Sequence, residues 1–326
     1  LKNIKQILIF FNIMKVLVTG GSGMIGQNIK DLVEEYNNHQ FVFLSSKDCD
    51  LTNRYETQCY FQDGNFDYII HLAANVGGLY KNMSKGIEMF SDNVKINENV
   101  LEACKKYRIN RGIFVLSSCI YTPNPSKFPM DESMIHEGPP HESNEGYAYA
   151  KRMLELQCRQ YNKKHNLNYI CLIPVNLYGK YDNFRDGDSH VIPGLISRFH
   201  ADKRHNSNTI VFGDGEPLRQ FLYAKDFANL ILKVLLESDY DGNNSMICCN
   251  DEVKISSMVD VLIDVMEMDK EKVSYDTNMP NGCMKKTVCN AKLKSIYPDF
   301  KFTSLKDGLK ETYRWFKNNY PENIRF

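Results

Sequence analysis

A tyrosine and a lysine four residues apart, Tyr147 and Lys151, are the first residues whose types and spacing suggest chemistry. On an α-helix, residues i and i+4 lie on one face, so the phenol and the ammonium can point into one site. A phenol with a pKa of about 10 is a poor acid or base at neutral pH, and a nearby cation favours its phenolate. Alone, this pattern more often marks a solvated helix face, so its meaning depends on the residues before it.

A Ser-Ser-Cys sequence precedes this pair and follows the apolar run 112–116, which reads as a buried strand. If strand geometry persists, Ser117 and Cys119 share a face because they are two residues apart. The serine hydroxyl can hold a substrate oxygen, and a thiol with a pKa of about 8.5 can serve as a base. Taken singly, Cys119 is more often a buried thiol at the end of a strand.

A glycine-rich turn follows the apolar run Lys15–Thr19, and apolar residues then recur at helical spacing from 25 to 36. Strand, glycine turn and helix together favour nucleotide binding over a mere tight turn, because the backbone can approach a pyrophosphate at a helix N-terminus. The residues of this turn are Gly20, Gly21, Ser22, Gly23, Met24, Ile25 and Gly26.

The second predicted strand, 41–44, is followed by Ser45, Ser46 and Lys47. A carboxylate at this point would bind a ribose 2′-hydroxyl and select NAD, whereas two hydroxyls and a cation suit a 2′-phosphate. The sequence therefore favours NADP(H). Because Asp48 and Asp50 follow closely, an ordinary polar turn stays an alternative.

Strands alternate with helices along the first half of the chain, which predicts an α/β fold with a Rossmann-type, doubly wound parallel sheet. Ligands of such sheets bind at the carboxyl ends of the strands, where Gly20, Ala73 and Ser117 fall, so the sequence predicts one cleft. His71, inside a strand, is expected to be a core histidine. The other predicted elements are strands 66–74 and 169–174 and helices 93–108 (capped by Asn93), 147–165, 227–236, 253–268 and 306–319.

Beyond residue 179 the regular alternation fades, and we expect a smaller C-terminal α/β substrate-binding domain. The predicted division is an N-terminal extension (1–13), a nucleotide-binding domain (14–179 with 217–247) and a substrate-binding domain (180–216 with 248–326).

The composition excludes several classes of protein. The chain has 326 residues, 43% of them hydrophobic, and 40 basic residues balance 40 acidic ones, so nothing suggests a nucleic-acid or membrane partner. None of the 10 cysteines forms a Cys-x-x-Cys pair, which predicts no metal site and buried thiols in a reducing compartment. The segment 1–13 is too short to span a bilayer.

Six motifs in order, TGGSGMIG, HLAANVGG, SSCIY, YAYAK, PVNLYG and HVIP, give the chain a family resemblance from residue 14 to its C-terminus. It resembles the extended short-chain dehydrogenase/reductase family and, within it, the GDP-L-fucose synthases. The resemblance implies 3,5-epimerisation of GDP-4-keto-6-deoxy-D-mannose followed by NADPH-dependent reduction at C4. It also implies a cytoplasmic homodimer in which helices 93–108 and 147–165 pack against those of a second copy.

The resemblance assigns roles to five catalytic residues. Cys119 would be the base and His190 the acid of the epimerisation, and Ser117 and Tyr147 would hold the C4 oxygen. Lys151 would depress the pKa of Tyr147 and bind the nicotinamide ribose. Further cofactor contacts are implied for Ala73, Lys151, Pro174, Asn176, Leu177 and His190, and substrate contacts for Asn176, Arg198, Phe212, Arg219 and Lys286.

Three other functions compete with this one. A 4,6-dehydratase usually has Asp-Glu after its serine or threonine, whereas this chain has Ser118 and Cys119. A 4-epimerase needs no external Cys/His acid–base pair, although both candidates are present here. A non-catalytic Rossmann module often loses the tyrosine or the lysine, and both are intact.

Overall fold

A computed structural model of the chain describes residues 13–185, 187–237, 240, 245–279 and 281–325. Apart from Ile13, the predicted N-terminal extension therefore lies outside the described residues. The strands are β1 (Lys15–Thr19), β2 (Gln40–Leu44), β3 (Tyr68–His71), β4 (Arg111–Val115), β5 (Asn168–Pro174), β6 (Asn176–Tyr178), β7 (Thr209–Phe212), β8 (Leu218–Tyr223), β9 (Met246–Cys248), β10 (Glu252–Lys254) and β11 (Val273–Asp276).

The helices fall between and after these strands. They are α1 (Met24–Leu32), α2 (Arg54–Gly64), α3 (Leu79–Ser84), α4 (Gly86–Lys106), α5 (Glu145–His165), α6 (Val191–His205), α7 (Ala224–Leu236), α8 (Ile255–Met266), α9 (Ala291–Ile296) and α10 (Leu305–Asn319).

A parallel sheet of six strands, in the order β2-β1-β3-β4-β5-β9, forms the centre of the fold. Its middle strands are apolar because both faces are covered: Val16, Leu17 and Val18 are wholly buried. Val18 pairs with Phe43 on one side and with Ile70 on the other. The predicted Rossmann-type sheet is confirmed, and the carboxyl ends of β1, β3 and β4 meet at one edge.

A second core packs around α6, α8 and α10 and contains Ile196, Phe199, Leu262 and Phe316. Its small sheet, β10-β8-β6, joins it to the first core because β6 follows β5 directly in the chain. Val288, from beyond residue 248, belongs to the first core. The division into domains made from the sequence stays a prediction.

Helix α4 begins at Gly86, seven residues before the predicted start, and Asn93 is not its cap. Asn93 is wholly buried on the inward face, where its Nδ2 donates to the carbonyl of Asn75 (2.9 Å) and its Oδ1 accepts from the amide of Asn75 (2.9 Å). The helix was predicted to begin at Asn93 because the sequence does not distinguish an asparagine that caps a helix from one that is buried in it and binds a loop.

Strand β3 ends at His71 rather than at the predicted Ala74, although the amide of Leu72 still donates to the carbonyl of Thr19 (3.2 Å). The amides of Leu72 and Ala73 each donate to Oγ1 of Thr19, at 3.2 Å. His71 is a core histidine, as predicted: its Nδ1 lies 2.8 Å from Thr19 Oγ1 and its Nε2 3.2 Å from Oδ1 of Asn97.

All ten cysteines are unpaired, and Cys104, Cys158 and Cys171 are buried as predicted. In the part of the chain that the structure describes, no helix has the length and hydropathy needed to cross a membrane. The same residues contain no cluster of His, Cys, Asp or Glu suited to holding a metal ion.

Candidate active site

The glycine turn between β1 and α1 packs so tightly that side chains are excluded. A Cβ on Gly20, whose φ is +68°, would lie 2.8 Å from the amide nitrogen of Ala73, and one on Gly26 would lie 2.7 Å from the carbonyl oxygen of Gly20. Helix α1 starts after Gly23, which has no side chain that could cap the first amides. The turn thus offers bare backbone and a helix N-terminus, which suits a dinucleotide pyrophosphate. The exposed Ser22 lies at its tip.

The three residues after β2 do not act alike. Ser45 donates its hydroxyl (2.6 Å) and its amide (2.9 Å) to Oδ2 of Asp48, and these bonds hold the pKa of that carboxyl below its usual value. Ser46 and Lys47 are exposed beside them. The 2′-phosphate site predicted from the sequence is therefore reduced to the side chains of Ser46 and Lys47, with a carboxylate close by.

The Ser-Ser-Cys segment turns immediately after β4, so the expectation of continuing strand geometry is wrong. Ser117 is extended, but Ser118–Ile120 forms a 3₁₀ turn. This turn brings the backbone amide of Cys119 within 3.3 Å of Oγ of Ser117. The two residues are neighbours because of the turn and not because of strand alternation, and the thiol is 7% exposed.

Tyr147 and Lys151 lie on the first turns of α5, which begins at Glu145. Lys151 is 2% exposed, its Nζ donates to the carbonyl of Val115 (2.7 Å), and it lies 5.7 Å from the centre of the Tyr147 ring. Burial lowers the pKa of Lys151 to about 8. Tyr149 is exposed on another face of the helix.

The pKa of Tyr147 differs from the sequence-based expectation. Burial raises it well above its ordinary value, and a charge on Cys119 would raise it further. Lys151 does not lower the pKa of Tyr147 below its ordinary value. Its ammonium group is directed at the carbonyl of Val115, and the effect of desolvation on the phenol is larger than the effect of this charge. Without ligands, Tyr147 is therefore a protonated phenol at neutral pH.

Cations surround the buried thiol of Cys119. Burial raises its pKa, and the charge of Lys286, the hydrogen bond with Ser117 and the charge of Lys151 all oppose that rise. Burial lowers the pKa of Lys286, a thiolate at Cys119 would raise it, and the charge of Arg219 lowers it. Lys286, predicted as a substrate contact, thus lies near the predicted base, and Arg219, also predicted as a substrate contact, lies near Lys286.

His190 comes from a different loop and is exposed at the start of α6. This loop packs against the turn that follows β3: a Cβ on Gly78 would lie 3.0 Å from the carbonyl oxygen of Asp188, and the amide of Gly78 donates to Oδ1 of Asp188 (3.4 Å). The packing brings the residues just before His190 against the segment that follows β3.

The remaining predicted substrate residues are distributed differently. The Arg198 guanidinium lies 4.4 Å from the centre of the Phe212 ring, which is 50% exposed and offers a flat platform. Asn176 donates Nδ2 to the carbonyl of Gln220 (2.9 Å) and so braces β6 against β8. Pro174, at the end of β5, is buried, and Leu177 is half-buried.

Two sets of polar residues at this site were not predicted from the sequence. Asn93 and Asn97 are buried one turn apart on α4, and Asn97 reaches both His71 (3.2 Å) and the carbonyl of Ala150 (3.4 Å). Amides four residues apart on the inward face of a helix were the available signal. Arg152, next to Lys151, is also buried, and nothing in the sequence distinguishes it from a surface arginine.

Comparison with known proteins gives concordant findings. The model of the NAD dependent epimerase/dehydratase family matches residues 16–248. The chain is 42% identical to a GDP-L-fucose synthase of Dictyostelium discoideum, over 94% of this chain and 96% of that protein. It is 39% identical to a probable GDP-L-fucose synthase of Drosophila melanogaster, over 94% and 98%. The solved structure of a GDP-L-fucose synthetase from Naegleria fowleri bound to NADP superposes with a TM-score of 0.88 at 35% identity, covering 96% of each chain.

Proposed function

The chain belongs to the NAD-dependent epimerase/dehydratase family and, within it, to the GDP-L-fucose synthases, and on that premise we propose that it makes GDP-L-fucose. The substrate is GDP-4-keto-6-deoxy-D-mannose, which is inverted at C3 and C5 and then reduced at C4. One observation carries the proposal: a buried thiol, Cys119, lies among Ser117, Lys151 and Lys286, at the end of a nucleotide-binding sheet.

The epimerisation uses the acidity of hydrogens beside a ketone, because an enolate can form there. Cys119 removes the proton as a thiolate, a form that burial disfavours and that the charges of Lys286 and Lys151 partly stabilise. His190, from the opposing loop, returns a proton to the other face of the carbon. Ser117 and Tyr147 donate hydrogen bonds to the C4 oxygen as negative charge develops on it.

The reduction uses a bound NADPH, which supplies a hydride to C4 when it occupies the site. The glycine turn 20–26 binds the pyrophosphate, Ser46 and Lys47 bind the 2′-phosphate, and Lys151 binds the nicotinamide ribose. Tyr147 gives its proton to the C4 oxygen. The raised pKa of Tyr147 supports this role, because the phenol is protonated before reduction begins.

The substrate's nucleotide is bound by cations and a platform. Arg219 and Lys286 bind the diphosphate, where a guanidinium matches phosphate oxygens. Phe212, backed by Arg198, covers the guanine. Asn176 contacts the sugar. The remaining contacts proposed for the cofactor lie along the strand ends, at Ala73, Pro174 and Leu177.

The test separates the two half-reactions. Wild type should oxidise NADPH when GDP-4-keto-6-deoxy-D-mannose is supplied, and should exchange C3 and C5 hydrogens with deuterated solvent. Cys119→Ser should lose the exchange, whereas Tyr147→Phe should keep it and lose the reduction. Cys59→Ser, at a half-buried thiol on α2, is the matched control. Absence of NADPH oxidation by wild type with this substrate would refute the function.

We also propose a homodimer that forms through α4 and α5, which pack against each other. Exposed apolar patches mark interfaces. The apolar side chains exposed on these two helices are Ile87, Phe90, Tyr149, Met153 and Leu156. Light scattering should show a dimer for wild type and for the control Tyr55→Glu on α2, and a monomer for Leu156→Glu. A monomeric wild type at micromolar concentration would contradict the dimer.

A cytoplasmic location is proposed on the basis of the thiols. Ten unpaired cysteines suit a reducing compartment, because such compartments keep thiols from forming disulfides. Cell fractionation with an antibody to the chain tests this, and enrichment in an oxidising compartment would contradict it.

A further inference from the structure

A buried arginine lies next to the proposed catalytic lysine, and its hydrogen-bond acceptors within the described part of the chain include no acidic group. Arg152 is 7% exposed, and its guanidinium donates to three backbone carbonyls: Nε to Ile120 (2.7 Å), Nη1 to Gly138 (2.7 Å) and Nη2 to Glu137 (3.2 Å). Burying a cation is unfavourable, and burial accordingly lowers the pKa of this guanidinium. The three carbonyls replace the water that the guanidinium loses on burial.

These bonds hold the segment that carries Cys119. Ile120 is the last residue of the 3₁₀ turn that contains the thiol, and it is wholly buried. The preceding residue of α5, Lys151, donates to the carbonyl of Val115 at the other end of the same segment. Two adjacent cations on one helix therefore bind the backbone on either side of the Ser117–Cys119 sequence.

The other two acceptors extend this attachment to the following loop. Gly138 has a φ of +47°, and a Cβ built on it would lie 3.1 Å from Oγ1 of Thr122. Arg152 thus joins the loop at 137–138 to the turn at 118–120, while the Arg152 side chain itself remains buried. A planar guanidinium can satisfy three separate carbonyls, whereas a lysine ammonium at this position cannot reproduce that fork.

We propose that Arg152 is a positioning residue for Cys119: it fixes the turn that directs the thiol toward the carbon acid. The proposal rests on the proposed role of Cys119 as the base. It assigns Arg152 to the epimerisation and not to the reduction. Tyr147 and Lys151 lie on α5, and Ser117, the other group proposed to bind the C4 oxygen, is extended and precedes the 3₁₀ turn to which Arg152 is bound.

The experiment compares the two half-reactions in Arg152→Met and Arg152→Lys. Solvent-deuterium exchange at C3 and C5 is measured on GDP-4-keto-6-deoxy-D-mannose without cofactor, and C4 chemistry is measured as single-turnover oxidation of GDP-L-fucose by NADP⁺. We expect exchange to fall about tenfold or more in both variants, because small misplacements of a reacting group are costly. Oxidation should stay within about twofold of wild type, because C4 chemistry does not need the thiol.

Arg159→Met on the same helix is the matched control, since that arginine is half-exposed and binds Glu155, a carboxylate that His136 also contacts (2.8 Å). It should leave both half-reactions unchanged. A parallel fall of exchange and oxidation in the Arg152 variants would overturn the proposal, because it would indicate general structural damage. Exchange within about twofold of wild type would overturn it too.

A second measurement keeps the proposal testable without substrate. The rate at which iodoacetamide alkylates Cys119, followed by peptide mass spectrometry, should change severalfold in Arg152→Lys and stay constant in Arg159→Met. An unchanged rate in Arg152→Lys would refute the positioning role even where Arg152→Met fails to fold. Failure of the proposed function would give a different result. In that case wild type would exchange no deuterium at C3 and C5, although the alkylation rate of Cys119 would still depend on Arg152.

Discussion

Replacing the buried Asp182 with asparagine should stabilise the protein at neutral pH. Asp182 is 5% exposed, and its Oδ1 accepts from the amide of Asn183 (2.7 Å). Its Oδ2 is buried and has no hydrogen-bond partner among the residues that the structure describes. Burial raises the pKa of this carboxyl from 3.8 to about 6, against the attraction of His190 and Arg325. The folded protein therefore holds the proton more tightly than the unfolded chain does.

The magnitude follows from linkage. A rise of about 2 pKa units means that ionised Asp182 lowers the free energy of unfolding by about 3 kcal/mol. Because the folded pKa is raised, stability falls as pH rises through the interval between the two pKa values, with about half of the loss present at pH 5 and nearly all at pH 7.5. Asp182→Asn removes the charge, so its advantage over wild type should be about 1.5 kcal/mol larger at pH 7.5 than at pH 5.

Urea unfolding of both proteins at the two pH values measures this difference. Asp63→Asn, at an exposed carboxylate on α2, is the control and should behave like wild type at both. The prediction is refuted if Asp182→Asn is less stable than wild type at pH 7.5, or if the stability difference between the two proteins is the same at both pH values. Either result would mean that Asp182 is ionised in the folded protein and that hydrogen bonds or nearby charges stabilise its carboxylate.

Three further outcomes are expected. Gly26→Ala should weaken NADPH binding severalfold, measured by fluorescence titration, because the new Cβ meets backbone at 2.7 Å, whereas Gly86→Ala enters open space and should bind normally. The kcat/KM of reduction should fall above about pH 8 as Lys151 loses its proton, and in Lys151→Arg this fall should begin at a higher pH. If the fall begins at the same pH in Lys151→Arg, a group other than Lys151 causes it. Lys47→Ala should raise the KM for NADPH and leave that for NADH unchanged; equal effects would exclude a 2′-phosphate contact.

Local patterns in the chain were enough to predict the sheet and the glycine turn. Strand β1 was predicted with its true bounds, because a short apolar run before glycines has few alternatives. The early start of α4 was missed, since Asn93 imitates a cap while serving as a buried ligand of the loop at Asn75. A residue that binds backbone from inside a helix cannot be told from a cap by its type alone.

Contacts between distant segments account for the remaining differences. The proximity of Lys286 to Cys119, and the carbonyls around Arg152, depend on how loops pack after the sheet has formed. The depression of the Tyr147 pKa was expected from the nearby lysine, but burial of the phenol opposes it more strongly. Spacing along a chain reports which groups can meet, whereas desolvation depends on everything around them.

The order of the sheet has a consequence for synthesis on the ribosome. Strand β9 lies beside β5, and α7 binds β4 through Arg111, whose Nε donates to the carbonyl of Leu235 (3.0 Å). Both elements are translated long after β5. A nascent chain therefore carries an unpaired, apolar strand edge until Cys248 has emerged, and such edges attract other chains. We expect fragments that stop before Ala224 to aggregate and the growing polypeptide to depend on chaperones over that interval.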